Sequence, residues 1–177
     1  MIPYHIRWME VGDLPQVHAI DELSFTLPWP ANSYRYEILE NPASLLWVAE
    51  TMPEEGERQV VGMIVVWLIV DEAHIATIAV LPEFRRLGIG RALLAVALRE
   101  SYKKGATSAT LEVRAHNLAA QQLYQDFGFD VAGRRQGYYQ DNREDALLMT
   151  LQDLDLDYFD WLEGDQLLDE TGESGEI

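Results

Sequence analysis

Tyr4, Ile6 and Trp8 alternate with His5, Arg7 and Met9, a two-residue period that predicts a half-buried strand. The period then lengthens to that of a helix. Leu14, Val17, Ile20 and Leu23 share one face of a segment that Asp13 can cap and that runs to about Phe25. Leu27-Pro28-Trp29-Pro30 ends it, because neither proline continues a helix and each restricts the residue before it. A second helix is predicted over about Ser33 to Leu39, stopping before Asn41-Pro42. Strands fit Leu45 to Glu50 and Val60 to Val70, on either side of a polar loop, and His74 to Val80 after an Asp71-Glu72 turn. The next helix, Gly88 to about Lys104, gathers Ile89, Leu93, Leu94, Ala97 and Leu98 on one face and stops at Gly105. A strand at Ala109 to Arg114 leads to Asn117, a good cap for a helix from Leu118 to Phe127 that stops at Gly128. Strands at about Asp130 to Arg135 and Asp145 to Leu151 complete residues 1–151 as one α/β domain.

Residues 152–177 form a separate acidic tail. Leu154, Tyr158, Trp161 and Leu162 repeat at helical spacing and predict a short amphipathic helix, while the last ten residues, LDETGESGEI, read as disordered. This helix is expected either to pack on its own domain or on a second copy in a homodimer, or to lie near a substrate groove and screen cationic substrates.

Charge narrows the choice of ligand. The net charge is −17, of which the tail region from residue 151 carries −10 and the first 150 residues −7. Direct nucleic-acid binding is therefore excluded as an expectation, since neutralising phosphates needs an excess of Lys and Arg, and a cationic partner is favoured. With no cysteine, disulfides, thiolate zinc sites and thiol nucleophiles drop out. His5, His18, His74 and His116 lack ligand spacing, so no metal is expected. Neither a signal peptide nor a long apolar run is present, and a soluble cytoplasmic protein is the expectation.

Against this acidic background, residues 78–92 read IAVLPEFRRLGIGRA. Glycines in Arg85-Arg86-Leu87-Gly88-Ile89-Gly90 allow positive φ and close backbone approach, the following helix presents unpaired N–H groups, and Arg85, Arg86 and Arg91 add positive charge. A pyrophosphate suits such a loop. The chain has neither the GxGxxG of a dinucleotide fold nor the GxxxxGK[ST] of a P-loop.

The spacing Arg85-x-x-Gly88-x-Gly90 resembles the acetyl-CoA loop of the GNAT family of N-acetyltransferases. Two further segments, Leu111-Glu112-Val113-Arg114-Ala115-His116-Asn117 and Ala120 to Phe129, are most similar to its RimI branch, which acetylates protein N-termini. The resemblance runs from about residue 3 to about residue 150. It implies a mixed sheet of about seven strands with about four helices, two of whose central strands splay around the thioester. It also implies acetyl-CoA as co-substrate, held by the main chain of Ile78, Ala79 and Val80, by residues 85–91 (Arg85, Arg86, Leu87, Gly88, Ile89, Gly90 and Arg91), and by Asn117.

By the same resemblance, Glu112 is the general base and Tyr124 the general acid or thiol-positioning group, and Trp29, Tyr138 and Tyr139 border the peptide groove. By pattern alone, Glu112 is an outward residue of an alternating strand, Tyr124 a core aromatic beside Leu123 and Phe127, and the exposed aromatics are packing. The segment Gly133 to Asn142 departs from the branch in its polar residues. Transfer is expected by direct attack, to a protein N-terminus such as that of a ribosomal protein. The rival readings are acetylation of a small amine (polyamine, amino acid or aminoglycoside) and a CoA-binding interaction module without turnover.

Overall fold

A computed structural model describes residues 3–53 and 55–171. Seven strands form a single sheet: β1 (Tyr4–Trp8), β2 (Ser44–Thr51), β3 (Val60–Ile69), β4 (Glu72–Val80), β5 (Ser108–Arg114), β6 (Asp130–Arg135) and β7 (Ala146–Leu151). Their order is β1-β2-β3-β4-β5-β7-β6. Every pairing is antiparallel except β4 with β5, which the α3 crossover makes parallel. The helices are α1 (Leu14–Ser24), α2 (Ser33–Leu39), α3 (Ile89–Lys103), α4 (Leu118–Asp126) and α5 (Leu156–Thr171).

The long apolar runs of β2 and β3 are buried on both faces, which explains why they lack alternation. α3 covers one face so closely that a Cβ on Gly62 of β3 would lie 3.1 Å from both Ile89 and Leu93. α4 continues this layer, joined to α3 by Arg91, whose guanidinium pairs with Asp126 at 2.8 Å. α1 and α2 cover the opposite face, where Val17, Ile20 and Tyr34 are fully or almost fully buried. Asn117 caps α4 as expected, accepting from the Ala120 N–H at 3.2 Å. Asp13 stands at the start of α1 but its side chain caps nothing in that helix. It accepts instead from the Glu10 N–H and from Arg7, and although burial pushes its carboxyl up, those hydrogen bonds hold it below its ordinary value.

The tail helix is longer than its periodicity suggests. α5 extends to Thr171, into the segment read as disordered, and residues 172–177 lie outside those described. It packs on its own chain at the far ends of α3 and α4. Leu154, Tyr158, Phe159 and Leu162 are buried, the Tyr158 hydroxyl donates to the Phe127 carbonyl at 2.9 Å, and Arg99 pairs with Glu163 at 2.6 Å. Asp155 caps it by accepting from the Tyr158 N–H. Among the described residues, no helix is long and apolar enough to cross a membrane.

Candidate active site

β4 and β5 begin as hydrogen-bonded neighbours and then part. Their pairing runs from Glu72↔Ser108 to Ile75↔Leu111 and goes no further, although β4 continues to Val80 and β5 to Arg114. The register of β4 against β3 steps from Val65↔Thr77 to Val66↔Ile75 at the same level, so Ala76 is the extra residue of a β-bulge. The bulge shifts the alternation of β4 by one residue. His74 and Thr77, three apart, therefore both face the α1–α2 side. Beyond the bulge, Leu81 N–H bonds the Val61 carbonyl, and the ladder alternates from there. Ala79 thus directs its N–H and C=O to β3, whereas Ile78 and Val80 direct theirs to the open edge.

On the α3–α4 side of this gap lie the loop residues and Tyr124. Arg85, Arg86, Leu87 and Gly88 are exposed, and the loop curls through left-handed φ values of 63° at Arg86 and 80° at Gly88. Gly90 needs no such freedom: it sits inside the first turn of α3. No side chain caps α3, so its first N–H groups face outward beside Arg85 and Arg86. Arg85 braces the loop through its Nε, 2.9 Å from the Val80 carbonyl, while Arg91 turns to Asp126 and the Phe127 ring. An open strand edge, an anion-receptive turn and exposed guanidinium groups in one line fit a long, phosphate-bearing thioester donor. Tyr124 faces this side from α4, almost wholly buried. Burial first, and Tyr139 second, push its phenol well above the ordinary value, so it keeps its proton.

On the α1–α2 side, a cleft of about 370 Å³ is lined by Trp29, Pro30, Ser33, Glu37, Trp67, His74, Ala76, Glu112 and Tyr138. Glu112 Oε2 lies 2.7 Å from His74 Nε2, and its other oxygen 3.8 Å from Arg135. The aromatic wall is built in steps. Trp29 stacks on Tyr34 at 4.9 Å and on Trp67 at 6.1 Å, and Trp67 meets the His74 ring edge-on at 5.5 Å. Buried Asp21 holds the Trp29 turn, accepting from its N–H at 2.7 Å and from the Tyr34 hydroxyl at 2.8 Å. Burial pushes the Asp21 carboxyl up against these bonds.

Tyr138 lines the cleft, but Tyr139 lies against Arg114, whose guanidinium is 3.9 Å from its ring centroid. Arg114 also binds Asp141 and Glu144, and Asp141 accepts from Thr26. The α1–α2 and β6–β7 loops are thereby tied together over β5.

The structure thus brings Glu112, Trp29 and Tyr138 into one cleft, and sets the loop residues, Asn117 and Tyr124 on the other side of the gap. Sequence reasoning missed His74, Glu37 and Trp67. Nothing local marks His74 for a site, because its neighbour Glu112 is 38 residues away. Among the described residues, no group of three or more His, Cys, Asp or Glu side chains could hold a metal.

A sheet parted at a parallel pair, with a carboxylate on one side and a buried phenol on the other, is the arrangement expected of an acyl-thioester-dependent N-acyltransferase. Residues 14–129 match the Acetyltransferase (GNAT) family, and the chain belongs to that family. It is 38% identical to a putative [ribosomal protein bS18]-alanine N-acetyltransferase of Bacillus subtilis (strain 168), over 81% of this chain and 92% of that protein. The crystal structure of the ribosomal-protein-S18-alanine N-acetyltransferase from Escherichia coli superposes with a TM-score of 0.74 at 32% identity, covering 84% of this chain and 93% of that one. That of Ard1 from Thermoplasma volcanium does so with a TM-score of 0.76 at 28% identity, covering 86% and 99%.

Proposed function

We propose that the protein acetylates the α-amine of protein N-termini in the cytoplasm, ribosomal proteins among them, with acetyl-CoA as donor. The observation that carries this reading is the cleft itself. It ends on the His74–Glu112 pair at the point where β4 and β5 part, and it is walled by aromatics and open enough for an extended peptide end. Similarity to two ribosomal-protein-alanine N-acetyltransferases supports the choice of acceptor.

A protein α-ammonium has a pKa of about 7.7–8.0 and must lose a proton before it attacks. Glu112 accepts that proton, directly or through water, while His74 holds the carboxylate in place by donating from Nε2. Bound acetyl-CoA supplies the electrophilic thioester carbonyl. The amine nitrogen bonds to that carbon and gives up its second proton to solvent, the carbon–sulfur bond breaks, and the sulfur leaves with the electron pair. The N–H of the open β4 edge, at Ile78 or Val80, is the main-chain donor available to the carbonyl oxygen. Tyr124, kept protonated by burial, donates a hydrogen bond to the departing sulfur. Because a thiol with a pKa of about 8.5 is a stronger acid than this phenol, the sulfur is stabilised by that bond and takes its proton finally from solvent. With no cysteine in the chain, no thioester acyl-enzyme intervenes.

The test is CoA release, followed with a thiol-reactive dye, on short peptides with free N-termini, on an N-terminally blocked lysine peptide and on spermine. Faster turnover on the free N-termini is expected. Turnover confined to spermine would transfer the enzyme to small amines, and acetyl-CoA binding without turnover on any acceptor would make it a binding module.

A further inference from the structure

The cleft holds a second carboxylate that acetyl transfer does not use. Glu37 of α2 is only 8% exposed, yet it lines the same cleft as Glu112. All three of its side-chain hydrogen bonds fall on one oxygen: Oε2 accepts from Asn41 Nδ2 at 2.8 Å, from Trp67 Nε1 at 3.0 Å and from the Ser44 hydroxyl. These donors come from the turn after α2, from β2 and from β3, so the carboxylate is fixed in direction. Its Oε1 has no side-chain donor among the described residues. Keeping a carboxylate inside a protein is costly unless its lone pairs are met, and one met on a single oxygen has room for a further donor. Among the described residues, no Lys or Arg lines the cleft to provide one.

The sheet sets the distance to the transfer point. Ser44 pairs with Trp67 and Trp67 with His74, so these three residues form a row across adjacent strands. At about 4.8 Å per strand, the row spans about 10 Å. Glu37 stands over its Ser44–Trp67 end and Glu112 contacts its His74 end. An acceptor whose α-amine meets Glu112 crosses that distance with one extended residue, about 3.4 Å, and one long side chain. The indole of Trp67 lies between the two carboxylates and offers a face for an aliphatic stem or a guanidinium.

We infer that Glu37 is a specificity-determining residue: its open carboxylate oxygen pairs with the cationic side chain of the acceptor's second residue, so N-termini with Lys or Arg there are the preferred substrates. This rests on the reading of the site as one for protein N-termini.

The test compares kcat/KM for Ala-Lys-, Ala-Arg-, Ala-Leu- and Ala-Glu- peptides, identical beyond residue two, in wild type and in Glu37→Gln. The wild type is expected to favour the cationic pair by roughly tenfold or more over Ala-Leu-, and Glu37→Gln to erase most of that ratio, with the change in KM rather than kcat. A purely structural role would lower all four peptides in proportion and leave the ratio intact, which overturns the inference while N-terminal acetylation stands. If no peptide is turned over but spermine is, the proposed function fails and this inference with it. Should Glu37→Gln lose its melting transition or acetyl-CoA binding, Glu37→Asp replaces it. That variant keeps the charge one methylene short, and a ratio unchanged from wild type would equally overturn the assignment.

Discussion

The two ends of the β4–β5 pair differ in almost every physical respect. At the Glu72–Ser108 end the strands are hydrogen-bonded, and α5 seals the adjoining ends of α3 and α4 with Leu154, Tyr158, Phe159 and Leu162. At the Val80–Arg114 end the strands are apart, and what joins the neighbouring segments is charge. His74, on the last paired stretch, meets Glu112 just beyond it, and Arg114 and Thr26 meet Asp141. One end is held by apolar burial, which is non-directional and tolerant. The other is held by directional polar contacts between residues far apart in the chain, which leave room for ligands. Apolar packing and directional polar contacts thus stand at opposite ends of one pair of strands, and on the proposed function changes at each end should affect different observables.

The largest effect is expected from ending the chain at Asp153. This removes Leu154 together with α5, and so deletes four buried apolar side chains, each contributing about 1.5–3 kcal/mol before the entropy of ordering the helix is set against it. A net loss on the order of 5 kcal/mol in urea unfolding should follow. Turnover measured well below the new Tm should remain close to wild type; a loss of rate in the still-folded protein would break the division of roles. Glu112→Gln should do the reverse, lowering kcat/KM by roughly 10²- to 10⁴-fold with Tm and acetyl-CoA affinity held. Rate at neutral pH equal to wild type would remove Glu112 from the reaction.

Smaller changes sharpen the contrast. Tyr158→Phe deletes one hydrogen bond to the Phe127 carbonyl and should cost about 1 kcal/mol of stability, read as a lower urea midpoint at constant m-value. The smallest effect is an acid one. Hydrogen bonds from Thr26 and then Arg114 hold the exposed Asp141 carboxyl at about 2, against an ordinary 3.8. Because the folded value is the lower of the two, the loop tie is fully present above pH 3.8 and is lost as pH falls through about 2. Trp29 fluorescence should report the loops parting in that window, and Asp141→Asn should abolish that component. An identical acid transition in the variant would show that other carboxylates govern it.

Much of this architecture is legible along the chain, because it depends on local periods and breakers. The strand–helix order, the proline break at 28–30, the Asn117 cap and the turn at Gly88 all follow from a few neighbouring residues. Family resemblance added Glu112 and Tyr124, which the fold places on opposite sides of the gap. The tail helix shows the limit of local reasoning: residues 168–171 lack a strong pattern, yet they continue α5.

The bulge at Ala76 shows where the division lies. A strand's alternation is written in its residues, so β4 could be read from sequence as buried on alternate positions. A one-residue slip in its pairing, which no local pattern records, puts His74 and Thr77 on one side of the sheet, and the β4–β5 register sets His74 beside Glu112 across 38 residues of chain. Glu37, Trp67 and Arg114 are likewise ordinary residues of their own elements, and become parts of a site only when those elements pack. Sequence determined the elements and the glycine turn before α3 because short-range sterics and periodicity suffice for them. How Glu112, Trp29 and Tyr138 join His74, Glu37 and Trp67 in one cleft was decided by the tertiary structure, because its polar contacts and its distances belong to strand register and helix packing.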